Sequence, residues 1–184
     1  MRPHFLKRIF LFLLFLAVAF TFAHLWGFYN DPSRPDVRHK IFGNQKRLDD
    51  FLASQDVTAQ RLHYSGSLTN VLNPGSLSSY AKDSPVPVAP AQAREVQQLL
   101  QQPSSYPWGT VTACFPDYGV LLTFHNEQRM IRIAFCYQCN QLAVFEGDKP
   151  DRVNCQEDFD PIRTQLVAVA KAIFPNDSEI QALK

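Results

Sequence analysis

Apolar residues dominate the first thirty positions and then break into short, periodic groups. From Ile9 to Phe28 the run is interrupted only by Thr21, His24 and Gly27, and Arg2, Lys7 and Arg8 precede it. A helix of about 20 such residues is as long as the ~30 Å hydrocarbon core of a bilayer is thick. The pattern therefore predicts an N-terminal transmembrane or signal helix within residues 1–29. Lys and Arg beside a span resist translocation, so the cationic start stays cytoplasmic and the rest of the chain is exported. A cleaved secretory signal needs small residues after its apolar core, and Thr21-Phe22-Ala23 offers a weak version. An uncleaved anchor benefits from interfacial aromatics, and Trp26, Phe28 and Tyr29 supply them. The pattern favours the anchor and leaves secretion after cleavage as the alternative.

Beyond the leader, the periodicities predict a small α+β domain. Asn30 to Lys40 is polar and reads as a stalk, followed by a short amphipathic helix over 45–53 with Leu48, Phe51 and Leu52 at helical spacing. Residues 57–64 alternate and favour a strand, and a further short strand is expected at 67–72 within a Ser-, Asn- and Gly-rich loop region. Pro85, Pro87 and Pro90 push their predecessors away from helical geometry. Residues 91–102 then read as a helix with Ala93, Val96, Leu99 and Leu100 inward and Arg94, Gln97, Gln98 and Gln101 on a wet face.

The clearest β signal is a meander. Val120, Leu122 and Phe124 alternate with Leu121, Thr123 and His125, and Ile131, Ile133 and Phe135 alternate with Met130, Arg132 and Ala134. Turns at 126–128 and 137–140 link these two strands to each other and to a third at 141–146. Asp160-Pro161 opens a last helix as N-cap and first helical position, and Ile162, Leu166, Val169, Ala170 and Ile173 form its stripe. The expected division is a leader (1–29), a stalk with a short helix (30–55), an extracytoplasmic domain (56–175) and a tail (176–184). In the domain, an antiparallel meander is packed on one side by two or three helices.

Composition narrows the partners. Eighteen Lys and Arg balance seventeen Asp and Glu, a formal net charge of +1, which gives no support for nucleic acid as a partner. The expected partner is the membrane, through the N-terminal helix, with a protein partner left open. Four cysteines in an exported chain point to disulfide chemistry.

Cys136 and Cys139 fall on the turn between the second and third meander strands. Antiparallel neighbours exchange ends, so Cys114, just ahead of the first strand, should approach that turn. A bonded pair there would have a Cα separation of about 4.4–6.8 Å. Cys155 is less constrained, since the residues from Glu146 onward could span about 30 Å when extended and either return or stay remote. Three chemistries fit Cys114, Cys136, Cys139 and Cys155. One is a structural disulfide, most simply from Cys114 to a turn cysteine. The second is a zinc site, because Cys-x-x-Cys on a hairpin turn points two thiolates at one ion. The third is a thiol redox pair at Cys136 and Cys139, although such pairs usually sit at a helix N-terminus. Buried free thiols remain the plain alternative. The oxidising compartment favours the bridge, with no cofactor.

Cys114-Phe115-Pro116, a meander, and Cys136-Tyr137-Gln138-Cys139 together resemble small exported bacterial proteins with a Cys-Phe-x-Pro … Cys-Tyr-x-Cys pattern, themselves uncharacterised. Here Pro116 follows Phe115 directly. The resemblance covers residues 86–175 and implies an extracytoplasmic setting with no known activity.

The remaining candidates have simpler explanations. His63 and His125 lack ligand-spaced partners. Glu157, Asp158 and Asp160 are acids near a helix N-terminus, where the macrodipole favours them. Tyr106, Trp108 and Tyr118 flank the sheet as core aromatics would. No nucleophile–base pair is visible, so no catalytic residue is assigned. The expected function is a non-catalytic binding or structural module, membrane-tethered or secreted, with a zinc module or thiol redox protein as the alternative.

Overall fold

The structure, a computed structural model, describes residues 11–22, 35–65, 76–109, 114, 116–127, 129–146 and 153–184. The expected strand at 67–72 and the ends of the leader lie outside the described residues. The chain divides into two compact units, Met1–Arg34 and Pro35–Lys184. In the first, residues 11–22 are helical. Among the described residues no helix is long and apolar enough to cross a membrane.

The second unit is α+β and carries a seven-stranded antiparallel sheet. Its strands are β1 (Asp56–Tyr64), β2 (Tyr80–Lys82), β3 (Val86–Pro87), β4 (Val120–His125), β5 (Met130–Cys136), β6 (Gln141–Glu146) and β7 (Val153–Asp158). They run in the order β2-β1-β4-β5-β6-β7, with β3 also paired to β1. The meander forms in the register that its alternation requires, Leu122 opposite Ile133 and Ile133 opposite Val144. Helices α1 (Gln45–Ala53), α2 (Pro90–Leu100), α3 (Arg163–Ile173) and α4 (Ser178–Gln181) complete the unit. Asn44 caps α1 by accepting the Arg47 N–H, and Pro90 begins α2 at a position where its missing N–H costs nothing.

The main core joins the helices to the row of sheet residues that the alternation marks as inward. Phe51, Val96, Leu100, Leu166 and Val169 pack with Leu122, Phe124, Ile133, Phe135 and Val144. The opposite face is not left to solvent, because Leu121, Ala134 and Ala143 on the alternate positions are apolar too. They form a second cluster with Leu62, Leu77, Tyr80, Tyr118, Cys136 and Phe145. The expectation of a sheet packed on one side is thus extended by a smaller core on the other.

Three local expectations are corrected and one is extended. The stalk gives way from residue 35 onward: Val37, Ile41 and Phe42 are buried in a π-helical turn, Val37–Ile41, and the residue that ends it. Three apolar side chains scattered among charges show no clean period, which hid them. The tail at 176–184 carries a short helix, α4, on which Ile180 is buried. Gln97 leaves the wet face of α2. It is buried and donates to the carbonyls of Phe51 (2.7 Å) and Ser54 (2.9 Å), satisfying the end of α1. Asp160 is not the cap of α3, because a 3-10 turn, Asp160–Ile162, comes first with Phe159 as its N-cap.

Candidate functional site

The β5–β6 turn is pinned from both faces of the sheet. Cys136 ends β5 fully buried in the second cluster. The next residue, Tyr137, turns to the helix side, where its ring stacks with Phe135 and meets Phe159 edge-on. Its hydroxyl donates to Leu166 O (3.4 Å), and burial holds its pKa well above the usual phenol value. Gln138 is exposed, and Cys139 packs partly buried against the second cluster. Asn140 closes the turn at φ +55°, a left-handed conformation that Asn tolerates better than most residues. Its carbonyl accepts the Phe159 N–H at 2.7 Å.

Cys114 meets this turn from the other side. Tyr80 on β2 holds the intervening loop: its hydroxyl donates to Pro116 O (3.1 Å) and accepts the Tyr118 N–H (3.2 Å). Burial, the largest influence, raises the Tyr80 pKa. Cys114 and Cys139 are placed as a disulfide with a Cα separation of 6.3 Å, inside the span that bridges adopt. The buried Cys136 Sγ lies 3.1 Å from Cys139 Sγ. A bridged sulfur carries no proton, so Cys136 is the donor in that contact.

Three of the four cysteines therefore converge where strand direction requires. The fourth, Cys155, has its backbone on β7 opposite Val144, three residues along β6 from Gln141, the ladder partner of Cys136. Strand β7 returns the chain antiparallel to β6. The polar run Val153-Asn154-Cys155-Gln156-Glu157-Asp158 gave no alternation from which to foresee it. Among the described residues no group of three or more potential ligands is arranged to hold a metal ion.

The other candidates separate. His63 is exposed on β1, 3.3 Å from Asp83. His125 is half-buried at the end of β4, beside a shallow groove of about 370 Å³ on the second sheet face. In that groove Arg132 directs its Nε to Met130 Sδ at 3.0 Å. Among the acids, Glu157 is raised in pKa, chiefly by burial, and Asp158 accepts the Asp160 N–H at 2.7 Å. Tyr106 is buried with its hydroxyl on Leu100 O (2.7 Å), and its ring lies against Trp108. Tyr118 belongs to the second core.

Sequence reasoning missed Arg61. It is nearly buried at the end of the sheet, with Nε on Asp177 (2.5 Å), Nη2 on Glu179 (2.7 Å) and Nη1 on Gly119 O. The Arg61 guanidinium thereby ties α4 to β1, and the only available signal was a lone Arg in an alternating strand. Compared with known proteins, the chain matches no family model, no curated protein and no solved structure.

Proposed function

We propose that the chain is a membrane-tethered extracytoplasmic module, non-catalytic, in which the α+β unit serves binding or structure outside the cytoplasm. The observation that carries this reading is the leading helix. Over residues 11–22 it exposes Leu, Phe and Val side chains all around its circumference, up to Phe20 at 75%. A helix apolar on every side belongs in a core or a bilayer. Its single polar side chain, Thr21, donates its hydroxyl to Ala17 O (2.8 Å), the internal bond that a hydroxyl needs where water is absent. The half-buried Cys114–Cys139 pair supports the same placement, since bridges persist in oxidising compartments.

Membrane fractionation with alkaline extraction and external protease tests the proposal. The full chain should stay with the membrane pellet, and protease added outside the cytoplasmic membrane should reach residues 35–184. Recovery of the intact chain in the soluble cytoplasmic fraction would contradict it. A second reading, a thiol redox protein, rests on the 3.1 Å approach of Cys136 to Cys139. Zinc held by the same cysteines would instead leave the thiols unbridged and yield a metal that a chelator removes.

A further inference from the structure

The three converging sulfurs are not equivalent. Cys114 and Cys139 are half-buried and bridged, whereas Cys136 is fully buried and carries the thiol. Only two residues separate Cys136 from Cys139 within one turn, and their sulfurs are already 3.1 Å apart. Cys139 can therefore pair with either neighbour without moving a strand.

We propose that these cysteines form a thiol–disulfide exchange centre, in which the buried Cys136 displaces Cys114 from Cys139 and delivers a reactive thiol to the half-exposed Cys114. This deepens the thiol redox reading and does not depend on the membrane anchor. In the internal step the Cys136 thiol loses its proton and its thiolate attacks Cys139 Sγ. The Cys136–Cys139 bond forms, the Cys114–Cys139 bond breaks, and Cys114 leaves as a thiolate. One disulfide and one thiol are present before and after, so no oxidant is consumed. In the outward step the Cys114 thiolate attacks a small soluble disulfide, forming a mixed disulfide at Cys114 and releasing one thiol from that reagent. The substrate class is thus a disulfide that approaches the sheet end carrying the β5–β6 turn. Tyr80 favours the exchange by holding the 116–118 loop in place whichever bridge exists, because it bonds the backbone at Pro116 and Tyr118 and not the sulfurs.

The test incubates the folded, detergent-solubilised full chain with oxidised glutathione, quenches it in acid and maps disulfides by non-reducing peptide mass spectrometry. The expected product carries glutathione on Cys114 together with a Cys136–Cys139 bridge. Cys136→Ser and Cys136→Ala should both lose the adduct while keeping the Cys114–Cys139 bridge, and Cys114→Ser should form the Cys136–Cys139 bridge on air oxidation. No adduct, or one confined to Cys136 or Cys155 with Cys114–Cys139 retained, overturns the exchange while leaving the resting bridge standing. If the untreated protein lacks any bridge among these cysteines, the thiol redox reading falls as well.

Discussion

Arg61 shows how one side chain can carry more structure than its surroundings announce. Its guanidinium spans Asp177, Glu179 and the Gly119 carbonyl, and a Cβ on Gly119 would stand 3.0 Å from Nη1. A side chain there would crowd a guanidinium that its three partners hold in place, while the φ of Gly119 lies outside the left-handed region. Gly119→Ala should destabilise the unit by about 1–3 kcal/mol in urea unfolding, as other overpacking changes do. Burial alone would raise the Asp177 pKa, but the Ile180 N–H and the Arg61 guanidinium hold it below the usual carboxylate value. A depressed folded pKa contributes stability that is present above the unfolded value of about 3.9 and lost as pH falls through the folded one. The unfolding midpoint of the native protein should thus decline below about pH 4 more steeply than that of Asp177→Asn. Glu157, raised by burial, acts with the opposite sign, so the comparison with Asp177→Asn isolates the Asp177 contribution. Gln97→Leu should cost about 1–3 kcal/mol by taking the amide donor from the Ser54 carbonyl and leaving the Phe51 carbonyl with the Ser54 N–H alone, measured by the same denaturant titration.

Among the elements, those with a strong period were legible and those without were not. Alternation placed β4, β5 and β6 within a residue or two, and with them the approach of Cys114 to the β5–β6 turn. Helix α1 was legible from Leu48, Phe51 and Leu52 at helical spacing. Strand β7 was hidden by its polar sequence, which carries no alternation to announce its pairing with β6. The π-helical turn at Val37–Ile41 and the short α4 were hidden because each buries one or two side chains, too few to make a pattern. Which turn cysteine bridges Cys114 was also beyond the pattern, since strand direction brings both into reach. The Cys114–Cys139 bridge closes a loop across 25 residues, for which chain entropy predicts about 3.5 kcal/mol. Cys114→Ser should lower stability by about that amount, less whatever a Cys136–Cys139 bridge restores, and the Cys114→Ser, Cys136→Ser double variant removes that restoration.

At the scale of the whole molecule, an apolar leading helix precedes an α+β unit with its own two cores. The unit begins at Pro35, so a chain starting there should fold and run as a monomer on size exclusion. Aggregation of that fragment with its bridge intact would count against the unit boundary. The central claim is that this unit works in an oxidising compartment, stapled by Cys114 and Cys139. Alkylating the cysteines in intact cells at the moment of lysis, then mapping peptides without reduction, tests it most directly. The account predicts a linked Cys114–Cys139 pair, with Cys136 alkylated only after unfolding. Cys114 and Cys139 both recovered as alkylated, unlinked thiols would contradict it.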